Sequence, residues 1–155
     1  MDNNDILRRF RYAMDVKDST MVKIFQLGKC NVNLAGVKAL MAKEDDPEFM
    51  VCGDDAMGLF LDGLITYNRG IREEGSQLPS KSSQALNNNL IMKKMKIALE
   101  LRQDDLMEIF SMAGVTVSKG ELTALFRKEG HKNYRPCQDQ FLRNFLKGLG
   151  LRNRR

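Results

Sequence analysis

The sequence predicts an all-α protein: two tandem, pseudo-symmetric units of about four short helices each, sharing a core. Three observations predict it. Residues 3–64 align with residues 88–149 at a constant offset of 85 without a gap, and 17 of the 62 pairs are identical. An internal repeat of this kind means two copies of one supersecondary unit. Apolar residues recur at helical spacing in both copies, which is the signature of helices with one buried face. No run alternates apolar and polar residues as a half-buried strand does. Units of about 65 residues would be marginal alone, so a common core is expected.

In the first helix Ile6, Leu7, Phe10, Ala13 and Met14 form one face, matched by Ile91, Met92, Met95, Ala98 and Leu99. The second helix (Met21, Val22, Ile24, Phe25, Leu27; Leu106, Met107, Ile109, Phe110, Met112) is apolar nearly all round, as buried helices are. Asp18 or Ser19 is expected to cap it, as is Asp104 in the second copy. Asn33 and Ser118 stand at equivalent N-cap positions before the third helix, and Ser118 with Glu121 fits a capping box. Asp54 and Asp139 open the fourth helix, where a carboxylate complements the helix dipole. That helix carries Met57, Phe60, Leu61 and Leu64, or Leu142, Phe145, Leu146 and Leu149. Gly63 and Gly148 sit inside it at equivalent places. A helix-interior glycine costs about 1 kcal/mol relative to alanine, so a close helix crossing is expected there, where the two units meet. The organisation reads as repeat 1 over 1–70, a Ser-, Gly-, Pro- and Gln-containing linker over 71–87, repeat 2 over 88–150 and a basic tail over 151–155.

Composition narrows the function classes. The 155 residues are 43% hydrophobic and 29% charged, which excludes collagen-like, disordered and disulfide-rich chains. The longest uncharged stretch, 82–92, is polar, so no membrane span is expected. The opening Met-Asp-Asn-Asn-Asp has no apolar segment, so no secretory signal is expected. Cys30, Cys52 and Cys137 form no CxxC pair and the one histidine is His131. A structural zinc site wants four clustered ligands, so neither a metal nor a cofactor is expected. Unpaired thiols point to the cytoplasm. Cys52 and Cys137 occupy equivalent places and read as buried small hydrophobes.

Two strings carry a resemblance. One is Lys-Glu-Asp-Asp-Pro-Glu-Phe-Met-Val-Cys-Gly-Asp (43–54) followed by Phe-Leu-Asp-Gly-Leu-Ile (60–65); the other is His-Lys-Asn-Tyr-Arg-Pro-Cys-Gln-Asp-Gln-Phe-Leu-Arg-Asn-Phe-Leu-Lys-Gly-Leu (131–149). The chain resembles the YehS-like family of small bacterial proteins, a duplicated helical domain of unknown function. The resemblance implies a bacterial cytoplasmic protein and two repeats. It implies no catalytic or binding residue.

Charge is the most informative functional signal. Residues 1–70 hold 9 basic and 11 acidic side chains, and residues 88–155 hold 14 and 7. The contrast is sharpest between the third and fourth helices, where Asp46, Pro47 and Glu48 face His131, Lys132 and Asn133 in the alignment. Three readings follow. The preferred one is a non-enzymatic interaction module, oligomeric or bound to another protein, in which acidic and basic loops pair. The alternative is RNA or single-stranded DNA binding by repeat 2. Lys128, His131, Lys132 and Arg135 would contact phosphates, Tyr134 would stack on a base, and Arg143, Lys147, Arg152, Arg154 and Arg155 would extend the patch. Tyr134 aligns with Phe49, which favours a structural anchor in both copies. The second alternative is an enzyme of unknown reaction using His131 with Cys137.

Overall fold

The computed structural model describes residues 1–70 and 85–154. Among these residues eight helices form: α1 (Asn3–Met14), α2 (Asp18–Leu27), α3 (Leu34–Met41), α4 (Asp54–Arg69), α5 (Asn88–Ala98), α6 (Gln103–Met112), α7 (Lys119–Leu125) and α8 (Asp139–Asn153). Among the described residues there is no strand. Most of the linker assigned from sequence, 71–84, and Arg155 lie outside the described residues. The helical content and the division into two repeats agree with the sequence reading.

The first helix of each repeat packs against the fourth helix of the other: α1 against α8, and α5 against α4. Within a repeat, α2 packs on α4 and α6 on α8. The buried faces merge into one core, with Ile6, Leu7 and Phe10 of α1 continuous with Leu142, Phe145 and Leu149 of α8. The two repeats are therefore interlocked, and each completes the other's core. Phe60 is met edge-on by Phe10 at 5.9 Å and tilted by Phe25 at 4.9 Å, while Phe110 stacks on Phe141 at 4.3 Å. Such pairs add about 0.5–1.5 kcal/mol beyond their burial.

The close crossing at Gly63 and Gly148 is real, but it lies within each repeat. A Cβ on Gly63 would penetrate the Ile24 carbonyl oxygen and stand 2.7 Å from the Gly28 nitrogen; a Cβ on Gly148 would penetrate the Ile109 carbonyl oxygen. These are contacts with α2 and α6. The seam between repeats has its own glycine. Gly150 places its missing Cβ 3.3 Å from the Ala13 Cα on α1.

Capping follows expectation at α3 and α7. Asn33 Oδ1 accepts from the Gly36 amide at 2.8 Å, and Ser118 with Glu121 forms the reciprocal box at 3.1 and 3.3 Å. The second-helix caps differ. The N-caps are Lys17 and Arg102, and Asp18, already helical, instead accepts from Arg11 Nε at 2.9 Å. In repeat 2, Asp105 reaches back to the Arg102 amide at 2.8 Å. Its other oxygen accepts from Arg152 at 2.8 Å.

Candidate functional site

The loops between third and fourth helices, residues 42–53 and 126–138, differ most in charge between the copies and are held in the same way. Asn4 Nδ2 donates to the Leu40 and Met50 carbonyls at 3.0 and 2.9 Å, and its Oδ1 accepts from the Cys52 amide at 2.9 Å. Asn89 repeats this with Leu125, Arg135 and Cys137 at 2.9, 2.8 and 2.8 Å. The preceding asparagine adds a second tie. Asn3 binds the Cys52 carbonyl and Asp54 at 3.1 and 2.9 Å, and Asn88 binds the Cys137 carbonyl and Asp139 at 3.1 and 2.8 Å. An amide side chain carries two donors and an acceptor, so one buried asparagine satisfies three backbone groups that have left water. Asn4 and Asn89 are 1% and 9% exposed. Buried polar groups are tolerated only when bonded in this manner. Unlike sequences thus follow one path: Met50 N and Arg135 N each donate at 3.1 Å to the third-helix carbonyls of Ala39 and Ala124.

Both loops stand at one end of the molecule. The Met1 amino group binds Asp139 at 2.7 Å, Asp139 accepts from Asn88, and Asn3 donates to Asp54. The N-termini of α1, α4, α5 and α8 are therefore together, and their dipoles add there as a positive field. Asp54, Asp55 and Asp139 in the first turns oppose it. Hydrogen bonds from Met1 and Asn88 hold the Asp139 carboxyl below the usual carboxylate range.

The residues nominated from sequence divide into three groups. Lys128, His131, Lys132, Tyr134 and Arg135 share the 126–138 loop. Lys128 and Lys132 are exposed, Arg135 faces Glu121 at 3.6 Å, and His131 Nδ1 accepts from the Asn133 amide at 3.0 Å. Tyr134 is half-buried like Phe49, and its ring borders a depression of about 350 Å³ shared with Asn87, Lys93, Phe126 and Glu129. Burial, then Glu129, pushes its hydroxyl up from the ordinary tyrosine value. Arg143 and Lys147 lie on α8, on the helical line that passes through Gly150 and therefore beside α1. Arg152 does not extend the patch. It is committed to Asp105 at 2.8 Å and Glu108 at 3.0 Å on α6. Arg154 lies over the Tyr12 ring at 4.1 Å, and Arg155 is outside the described residues.

The acidic loop carries Glu44, Asp45, Asp46 and Glu48, all exposed. Among the described residues no hydrogen bond or ion pair joins it to the basic loop. Beside it, Met50 and Val51 are exposed at 43% and 72%.

Cys137 is buried and its Sγ donates to the Gln138 carbonyl at 3.6 Å. Burial, then Asp139, pushes the thiol up to about 12. Burial, then Cys30 and two carboxylates, pushes Cys52 up to about 11. A thiol that stays protonated at neutral pH is a poor nucleophile, and His131 Nδ1 accepts from the Asn133 amide, so the structure gives the pairing of Cys137 with His131 no support. A thiol-reactive dye at pH 8 is expected to label Cys30 in the native protein and to reach Cys52 and Cys137 only on denaturation. Fast native labelling of all three would refute the burial. Among the described residues no cluster of His, Cys, Asp and Glu can hold a metal ion, and no helix is long and apolar enough to cross a membrane.

Comparison with known proteins agrees with the duplicated architecture. A family model described as "Protein of unknown function (DUF1456)" matches twice, over residues 3–70 and 88–155. The chain is 39% identical over 152 residues to the uncharacterized protein YehS of Escherichia coli (strain K12), covering 98% of this chain and 96% of that one. No solved structure matches. The resemblance read from 43–65 and 131–149 is borne out.

Proposed function

We propose that this chain, which belongs to the DUF1456 family of proteins of unknown function, is a non-enzymatic interaction module that pairs with a second copy of itself through two oppositely charged loops. One observation carries the reading. The same asparagine clamp fixes an acidic loop and a basic loop at the same end of the molecule, with Glu44, Asp45, Asp46 and Glu48 on one and Lys128, Lys132 and Arg135 on the other.

Two loops related by the repeat and sharing one end suit a twofold dimer. A second copy turned about an axis across that end sets acid against base twice, which is an isologous contact. Charge complementarity steers and orients such an encounter. Apolar area comes from the exposed Met50 and Val51, which in such a dimer would meet the partner copy's groove of about 220 Å³ lined by Leu125, Arg135, Pro136 and Phe141. The clamp lowers the cost of association because the loops are ordered beforehand.

Sedimentation velocity at roughly 100 μM protein tests this. A dimer is expected at about 50 mM salt, weakening as screening shortens the Debye length. Lys132→Glu with Arg135→Glu is expected to be monomeric throughout. A wild-type chain that stays monomeric at low salt contradicts the reading.

A further inference from the structure

The repeat relation supplies an internal control for a second surface, independent of the loops. The α4/α5 seam carries two ion pairs: Asp62 with Lys94 at 2.6 Å, and Arg69 with Glu100 at 3.8 Å. The equivalent positions on the α1/α8 seam are Lys147 with Arg9, and Arg154 with Asp15. Neither pair forms there. Lys147 and Arg9 are both cations, both exposed, and Arg154 turns instead to the face and carbonyl of Tyr12. Arg143 stands where α4 has Gly58. The duplicated frame is neutral on one seam and cationic on the other.

The cations form a row. Arg143 and Lys147 on α8 and Arg154 at its C-cap recur at i, i+4 and i+11, on one face, and Arg9 lies across the seam. Arg143 and Lys147, one turn apart, are about 5–6 Å from each other, and Arg154 follows two turns, about 10 Å, further along, so the row runs the length over which a flexible single strand carries several phosphates. Of the carboxylates near the seam, Asp5 holds Arg8 and Asp139 holds the Met1 amino group, which leaves exposed Asp15, at the α1 C-cap, against the four cations. Arg143 hydrogen-bonds the neutral Gln140 at 3.1 Å, and the Asp139 carboxylate near it is held mainly by the Met1 amino group and Asn88. At the end of the row Tyr12 is 70% exposed, with one ring face covered by Arg154. A cation row ending in an exposed aromatic is the arrangement that binds single-stranded nucleic acid, cations tracking phosphates and the ring stacking a base. An acidic peptide would use the cations and leave the ring without a partner.

We infer that the α1/α8 seam, through Arg9, Arg143, Lys147, Arg154 and Tyr12, binds the backbone of single-stranded nucleic acid. Four phosphate contacts at about −0.7 each give a log–log salt slope near −3. The repeat itself designs the test. Lys147→Asp installs on α8 the residue that α4 carries at Asp62, opposite Arg9, so the variant gains an ion pair and keeps its fold.

The probe is a fluorescent 12-mer of oligo(dT), with oligo(U) as its RNA counterpart, in anisotropy titrations from about 50 to 300 mM salt. The wild type is expected to bind with the steep slope. Lys147→Asp is expected to lose at least tenfold in affinity and half the slope, with an unchanged or higher melting temperature. Poly-glutamate at equal charge is expected to compete poorly. The Lys132→Glu/Arg135→Glu loop variant is expected to bind within threefold of wild type, so this site and the dimer contact fail separately. Absence of binding at 50 mM salt, wild-type affinity in Lys147→Asp, equal competition by poly-glutamate, or loss in the loop variant instead would each overturn the proposal.

Discussion

Replacing Gly148 by alanine is expected to destabilise the protein by about 2–3 kcal/mol, the upper range for overpacking a tight contact, and replacing it by leucine to leave no folded chain. The added Cβ would collide with the Ile109 carbonyl, a backbone atom inside α6, and would lie 2.9 Å from Ile109 Cγ2. The methyl can turn away with χ1, but the carbonyl is fixed in the α6 backbone, so α6 and α8 must separate. That contact anchors Leu142, Phe145 and Leu149, on which the shared core depends. With total stabilities of about 5–15 kcal/mol, the leucine variant falls below the threshold. Thermal unfolding of Gly148→Ala reads the effect as a fall of roughly 5–10 °C. Gly58→Ala, on the same kind of helix with nothing within 4 Å of the added Cβ, is expected to be neutral or slightly stabilising. Equal melting temperatures for Gly148→Ala and wild type would refute the crossing.

The second large effect is at Asn89. Asn89→Asp keeps the shape and the acceptor for the Cys137 amide but removes both donors, leaving the Leu125 and Arg135 carbonyls facing a carboxyl group. Each orphaned buried group costs about 1–3 kcal/mol, so a loss of about 3 kcal/mol or more is expected in chemical denaturation. The loss has a location too. Amide exchange should accelerate through 126–138 while α1 and α4 keep their protection, and Asn4→Asp should do the converse in 42–53. An Asn89→Asp variant as stable as wild type would mean that the clamp does not hold the loop.

Both positions show what a sequence can and cannot carry. Asn3, Asn4, Gly63 and Gly148 are visible as identities between the copies, so their importance is legible without coordinates. Their roles are not. The partners of Asn4 lie 36, 46 and 48 residues away, beyond any local pattern. Gly148 announces a close approach without naming the helix approached, which is why the crossing was expected between repeats and lies within them. Arg152 belongs by composition to a basic patch, yet its place on α8 delivers it to Asp105 and Glu108. The exchange of Asp62 for Lys147 is plain in the alignment. It acquires meaning only once α1 is known to pair with α8 and α5 with α4, because only then do Arg9 and Lys147 become neighbours. Helix periodicity fixes which face is buried; it does not fix which helix buries it.

The most direct test of loop pairing mixes two variants that cannot pair with themselves. One carries Lys132→Glu and Arg135→Glu, so both of its loops are acidic. The other carries Asp45→Lys and Asp46→Lys, which makes its first loop less acidic and adds cations to it. Each alone is expected to sediment as a monomer at low salt, and an equimolar mixture is expected to sediment as a heterodimer that dissociates as salt is added. Monomers in the mixture, with a wild-type dimer beside them, would place the contact elsewhere on the surface and contradict the account.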